Sequence, residues 1–265
     1  MNKLRLVKLS GLGLACLAVV FSLRGSFAQG TGVTEVNRFF YQGNSDYKEA
    51  KYDAAIDNYA KVLNLGLQSG NLYYNLGNSY FKKKELGKTV LNYEKALFFN
   101  PNDSDLKSNY EYAVSFLNLD SQSFGNWFEK FANRLFQGAT INFLTIFLSV
   151  IYIIAFLALI FNLFFNRAKK NIKILFFVLI VLFVLSVVSL SSKITYLNKG
   201  AIVISKEADV KFEPLEKATT YFKLTEGNKV EILEKAENWY KIKRPDGKIG
   251  WIDKKELGLI LDLPE

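Results

Sequence analysis

The chain contains no histidine and a single cysteine among its 265 residues. Without an imidazole there is no Ser-His-Asp triad, no Cys-His pair and no histidine-ligated zinc. Cys16 has no second thiol to pair with inside the chain. Neither GxxxxGK[ST] nor GxGxxG occurs, so no glycine-rich loop is available to cradle a phosphate. Catalysis by carboxylates or lysine alone survives as a formal option, but no cluster of carboxylates stands out to perform it. The chain reads as a non-enzymatic protein with no cofactor and no metal.

Acidic residues are missing from two stretches. The first 28 residues carry Lys3, Arg5, Lys8 and Arg24 and no acid; Thr140 to Lys193 carries Arg167, Lys169, Lys170, Lys173 and Lys193 and again no acid. Gln29 to Ala139 holds 12 residues of each sign, and Ile194 to the C-terminus 13 of each. The formal charge of +9 therefore belongs wholly to two hydrophobic regions and their flanks. Neither remaining segment has net charge to attract phosphate, which excludes nucleic acid as the expected partner.

Residues 1–28 read as a secretory signal: a basic start, an apolar run from Gly11 to Leu23, then Ser26-Phe27-Ala28 with small residues at −3 and −1. Arg24, late in that segment, leaves an uncleaved anchor as an alternative. Cys16 follows Leu14-Ala15, a faint lipobox, but Gly13 stands where that motif wants leucine.

Two later runs are long enough to span a bilayer, and they are assigned to residues 140–165 and 174–192. The shorter, Ile174 to Ser192, has 19 residues, or roughly 28 Å of helix at 1.5 Å per residue. The connector, residues 166–173, carries four cations in eight residues, so the positive-inside rule puts it in the cytoplasm and both large segments on the opposite side. An export signal predicts the same topology. Ahead of the first span, Phe124, Trp127, Phe128, Phe131 and Leu135 recur at helical spacing, which predicts an amphipathic helix over 122–138 lying at the membrane interface.

Residues 43–63 and 77–97 align at a period of 34. Gly43/Gly77, Asn44/Asn78, Ser45/Ser79, Lys48/Lys82, Asn58/Asn92, Tyr59/Tyr93, Lys61/Lys95 and Leu63/Leu97 are identical, and Tyr47/Phe81 is a near match. This period of paired helices, with Gly77, Tyr80, Tyr93, Ala96 and Pro101 at their spacing, resembles the tetratricopeptide repeat. Thr89 departs from the usual alanine, and Asp46 from the usual aromatic. The resemblance implies an all-α repeat domain over 35–118, with a capping helix starting near Ser104-Asp105. It also implies a concave groove on the first helices, with Asn44, Asn78, Lys48, Lys82, Tyr47 and Phe81 as the candidate peptide contacts.

From Ala201 the pattern switches to short alternating runs, with strands expected at Ala201 to Ile204, Asp209 to Phe212, Tyr221 to Leu224, Lys229 to Glu234, Trp239 to Lys243 and Gly250 to Ile252. With Asn238-Trp239-Tyr240 and Gly247-Lys248-Ile249-Gly250-Trp251, residues 199–261 resemble a bacterial SH3-like barrel. Tyr221, Trp239, Tyr240 and Trp251 are the candidate ligand face.

The whole order is multidomain: signal, all-α tetratricopeptide repeats, interfacial helix, two-helix transmembrane hairpin, all-β SH3-like barrel. It resembles the BatE-type proteins of bacterial aerotolerance (Bat) operons. That resemblance implies an inner-membrane adaptor with repeats and SH3-like domain on the periplasmic side. Its implied partners are membrane-anchored von Willebrand factor A proteins (BatA/BatB-type), a BatD-type protein and a MoxR-type ATPase, in oxidative-stress survival or envelope maintenance. The competing expectation is a cell-envelope module whose SH3-like domain holds peptidoglycan.

Overall fold

The computed structural model describes residues 31–117, 119, 125–164 and 169–261. The signal assignment (1–28), Phe124 and Arg167 lie outside these residues. Among the described residues the chain forms eight helices followed by a seven-stranded antiparallel sheet.

Five helices come first: α1 (Thr31–Lys48), α2 (Tyr52–Asn64), α3 (Gly70–Lys82), α4 (Leu86–Phe99) and α5 (Ser104–Ser115). Polar side chains define two starts: Ser69 accepts from Leu72 N at 3.2 Å for α3, and Asp103 accepts from Leu106 N at 3.0 Å for α5. The α5 cap thus falls one residue before the expected Ser104.

The two hairpins α1–α2 and α3–α4 repeat in detail. Gly43 lies against the Tyr59 ring and Gly77 against the Tyr93 ring, each so close that a Cβ would come within 2.6 Å and 2.5 Å respectively. Glycine at these positions lets the helices cross at short range. Both turns also share a closure. Ala50 and Lys84 take left-handed φ values of 58° and 60°. The following amides, of Lys51 and Glu85, reach back to the carbonyls of Asp46 and Tyr80 at 2.8 and 3.1 Å. These are helix C-terminal closures of the kind that glycine ordinarily occupies. The hairpins share one core built on Ala55, Tyr59, Val62, Leu72, Leu76, Tyr93, Ala96 and Leu106.

Helix α6 (Trp127–Leu135) is shorter than the expected 122–138 among described residues, and it starts at Asn126, whose side chain accepts from Glu129 N at 2.9 Å. Ala132 is buried, whereas Trp127 is 78% exposed. Helices α7 (Ile141–Phe164) and α8 (Lys169–Lys199) pack against each other, and both are long and apolar enough to cross a membrane. At 1.5 Å per residue the 31 residues of α8 extend about 46 Å, beyond the roughly 30 Å of a hydrocarbon core. Its last turns leave the apolar run as a stem and pass directly into β1.

The sheet contains β1 (Gly200–Val203), β2 (Glu207–Lys211), β3 (Thr220–Thr225), β4 (Lys229–Lys235), β5 (Trp239–Lys243), β6 (Ile249–Asp253) and β7 (Leu257–Leu259), in the order β3-β2-β6-β5-β4-β1-β7. Six strands match the expected segments; β7 was not foreseen. Register shifts at Val210/Lys211 and Ile232/Glu234 bend the sheet. All seven strands contribute to one core, from Ala201 and Val203 through Val210, Leu224, Ile232 and Ile252 to Leu257, so the sheet curls around its own interior, consistent with an SH3-like domain.

The helices and the sheet share a second core of Val90, Leu197, Ile202 and Ile260. Within this junction Glu94 of α4 receives the Lys229 ammonium, the Tyr110 hydroxyl at 2.8 Å and the Tyr196 hydroxyl at 3.0 Å. Burial pushes the Glu94 carboxyl up, but the Lys229 charge and these three donors more than reverse that and hold it below its ordinary range. Beside it, Gly87 N donates to Glu226 Oε2 at 2.9 Å, placing a carboxylate at the N-terminus of α4.

Candidate functional site

The first-helix face of the hairpins carries the candidate peptide contacts, and the structure divides them. The Asn44 and Asn78 side chains are committed within the fold. Asn44 Oδ1 accepts from Tyr59 Oη at 2.8 Å and from Asn75 Nδ2 at 2.9 Å, and Asn78 Oδ1 accepts from Tyr93 Oη at 2.6 Å. Tyr59 and Tyr93 are almost fully buried, so each hydroxyl needs such an acceptor. Burial raises the Tyr59 hydroxyl to about 12. The two asparagines thus orient core tyrosines; a ligand would have to compete with these bonds for their oxygens.

Lys48 and Lys82 end α1 and α3, are exposed, and form no ion pair among the described residues. Tyr47 is half-buried with its ring 5.6 Å from that of Tyr52, and burial raises its hydroxyl. Phe81 packs against Tyr112 of α5 and Phe116 at its C-terminal end, with ring centroids at 5.7 and 6.0 Å. Tyr112 and Phe116 meet edge to face at 4.9 Å and are 58% and 56% exposed. This aromatic group, completed by Tyr112 of α5 and by Phe116 just past its end, was missed in the sequence. Its signal is the i, i+4 spacing of Tyr112 and Phe116 around the buried Ala113, which puts both rings on one exposed side.

On the sheet, strand alternation sorts the candidate ligand face. Tyr240 and Ile242 point inward and Trp239 and Lys241 outward along β5. Tyr240, 9% exposed, belongs to the sheet core, with the Lys254 ammonium 5.1 Å from its ring centre. Trp251 of β6 pairs with Lys211 and Lys241 of its two neighbouring strands, and the Lys241 ammonium lies 5.5 Å from its ring centre. Trp239 borders a cleft of 330 Å³, whose other walls include Asp209, Lys211, Glu216 and Lys223. The Lys211 ammonium lies 5.3 Å from the Trp239 ring centre. Tyr221, 43% exposed, lies against Phe212, itself 57% exposed, with ring centres 4.4 Å apart and planes tilted by 33°. Three of the four aromatics therefore reach the surface, and Phe212 joins them.

Among the described residues no group of His, Cys, Asp or Glu is arranged to hold a metal ion. Both surfaces carry exposed rings beside ammonium groups, and the sheet adds a cleft.

Residues 206–258 match the family described as the bacterial SH3 domain. The match covers β2 to β6 and reaches into β7, leaving β1 outside it. No curated protein matches the chain.

Proposed function

We propose that this protein is a non-enzymatic, membrane-anchored adaptor that docks a partner protein on its helical hairpins, on the side of the membrane away from the cytoplasm. The observation that carries this reading is the aromatic group of Phe81 on the second hairpin and the exposed Tyr112 and Phe116 at the end of α5, beside Lys82, which forms no ion pair among the described residues. Exposed rings that already hold one another pre-organise a contact surface and reduce the entropy cost of binding. The 34-residue period and the paired closures at Ala50 and Lys84 support reading the hairpins as tetratricopeptide repeats, with α5 as the cap. The cations Arg167, Lys169, Lys170 and Lys173 support a cytoplasmic connector and a two-span hairpin.

The resemblance to BatE-type proteins supplies the partners to be tried: the von Willebrand factor A proteins, the BatD-type protein and the MoxR-type ATPase of an aerotolerance operon, at the inner membrane. The test is co-purification in mild detergent. Tyr112→Ala with Phe116→Ala should release the partner while the protein remains folded. Retention unchanged in this variant would defeat the docking surface. Asn44→Ala and Asn78→Ala are poorer probes, because they remove the acceptors of buried tyrosines.

A second reading, an envelope-binding module, is favoured by the bacterial SH3 match together with the Trp239 cleft and the half-exposed Trp251. Sedimentation of the detergent-solubilised full-length chain with purified sacculi separates the two readings. An adaptor stays in the supernatant, whereas a wall-binding module pellets and loses that property in Trp239→Ala.

A further inference from the structure

A cavity of 1380 Å³ opens between α5, α6, the upper part of α8 and the β3–β4 and β5–β6 turns of the sheet. It exceeds the roughly 300–1,000 Å³ of pockets for small ligands. Its lining changes character with height. Val187 and Val188 form the lower wall and belong to the apolar run of α8. Ser192 and Lys193 follow, about 8 Å higher along the helix at 1.5 Å per residue. Lys243 of β5 and Arg244 just after it line the cavity beyond them, together with the carboxylates Glu129, Glu231 and Asp246, the last of which already pairs with Arg244 at 2.7 Å.

Lys193 is the critical group. Its ammonium donates to the Ala139 carbonyl at 2.8 Å, and no carboxylate pairs with it among the described residues. A half-buried cation without a counter-charge favours an anion able to accept from its remaining hydrogens. The side wall is held by Asn133 of α6, whose Nδ2 donates to Ser192 Oγ at 2.9 Å, fixing the interfacial helix beside this position.

We propose that the cavity holds a phospholipid of the surrounding bilayer, its phosphate against Lys193 and its acyl chains descending past Val187 and Val188. This rests on the membrane reading above. No other class of ligand matches both ends: a soluble anion leaves the valine wall facing hydrocarbon depth unfilled, and a purely apolar ligand leaves Lys193 without a counter-charge.

The test is native mass spectrometry of the full-length protein after extraction and repeated exchange in mild detergent. Wild type should carry a phospholipid adduct. Lys193→Gln should retain it roughly tenfold less well, as expected for the loss of a charge-assisted hydrogen bond. Val187→Trp should exclude it by filling the lower wall while the thermal midpoint is kept. A wild-type protein that needs detergent for extraction but carries no lipid overturns the proposal and leaves the membrane reading intact. So does equal retention in both variants, or a co-purifying protein in place of lipid. Release of the chain from membranes by alkaline carbonate alone overturns the membrane reading and this inference with it.

Discussion

Glu94 and Lys229, 135 residues apart in the chain, meet as an ion pair in the junction between the helical hairpins and the sheet. The Glu94 side chain is 10% exposed and that of Lys229 35%, so solvent screens the pair from one side only. Tyr110 of α5 and Tyr196 of α8 complete the carboxylate's hydrogen bonds. Four elements thus converge on one acid.

Replacing Glu94 by Gln should cost about 2–3 kcal/mol, somewhat less than the 3–5 kcal/mol of a fully enclosed pair, because Lys229 keeps partial access to water. Thermal melts should show the loss in Glu94→Gln and in Lys229→Met, and the double variant should recover part of it. Strict additivity of the two single changes would refute the coupling.

The same pair sets a pH dependence. The folded Glu94 carboxyl lies below its ordinary 4.5, so its contribution is complete above that pH and disappears as the pH falls through 4.5 and lower. On the alkaline side the Lys229 ammonium is held well above 10.5: burial opposes its charge, but Glu94 outweighs that. Its contribution is complete below 10.5 and is lost only at higher pH. Limited proteolysis of the junction should accelerate below about pH 4.5 in wild type. A Glu94→Gln variant should lack that acid-dependent step.

The closures at Ala50 and Lys84 hold non-glycine residues in left-handed backbone, a conformation that costs about 1 kcal/mol or more. Ala50→Gly and Lys84→Gly should each stabilise the hairpins, by about 0.5 kcal/mol after the extra freedom glycine gives the unfolded chain. Gly77→Ala should do the opposite, by about 1–3 kcal/mol, since its Cβ would press into the Tyr93 ring. Urea midpoints of the three variants check both signs.

Much of this fold is legible in the sequence. The period of 34 locates the helix crossings because glycine and a tyrosine sixteen residues later must recur together wherever two helices touch. The apolar runs and their flanking cations are equally direct, since length and charge alone decide them. What local pattern does not reveal is contact between distant elements. Glu94 looks like any solvated acid on a polar helix face, and only the approach of β4 and α8 turns it into a buried partner. Strand β7 is short and pairs with β1, itself outside the matched SH3 segment, so its partner cannot be guessed from neighbouring residues. Among the candidate ligand aromatics, alternation along β5 was enough in principle to separate Tyr240 from Trp239.

That separation is measurable. Tyr240→Ala should cost about 3–4 kcal/mol and unfold the sheet at lower temperature. Trp251→Ala and Tyr221→Ala should stay within about 1 kcal/mol, their rings being partly solvated. Calorimetry distinguishes the two outcomes, and a similar loss for all three would contradict the inward placement of Tyr240.

Topology offers an independent check. In a background with Cys16 replaced by serine, a cysteine at the exposed Asn198 should react with a membrane-impermeant maleimide in spheroplasts. One at Asn171 should react only after permeabilisation. Labelling of both from outside would reverse the cytoplasmic assignment of the connector.

Helix α8 enters β1 without an intervening linker, and Tyr196, near its upper end, is tied to Glu94 in the hairpins. The sheet consequently has no swivel of its own. Any torque applied to it passes straight into a lever about 46 Å long, whose lower part is long and apolar enough to cross a membrane. On the membrane reading proposed above, tension from a captured partner or from the wall would be felt as tilt of that lever, and a change in bilayer thickness would in turn rotate the hairpins and the sheet as one body.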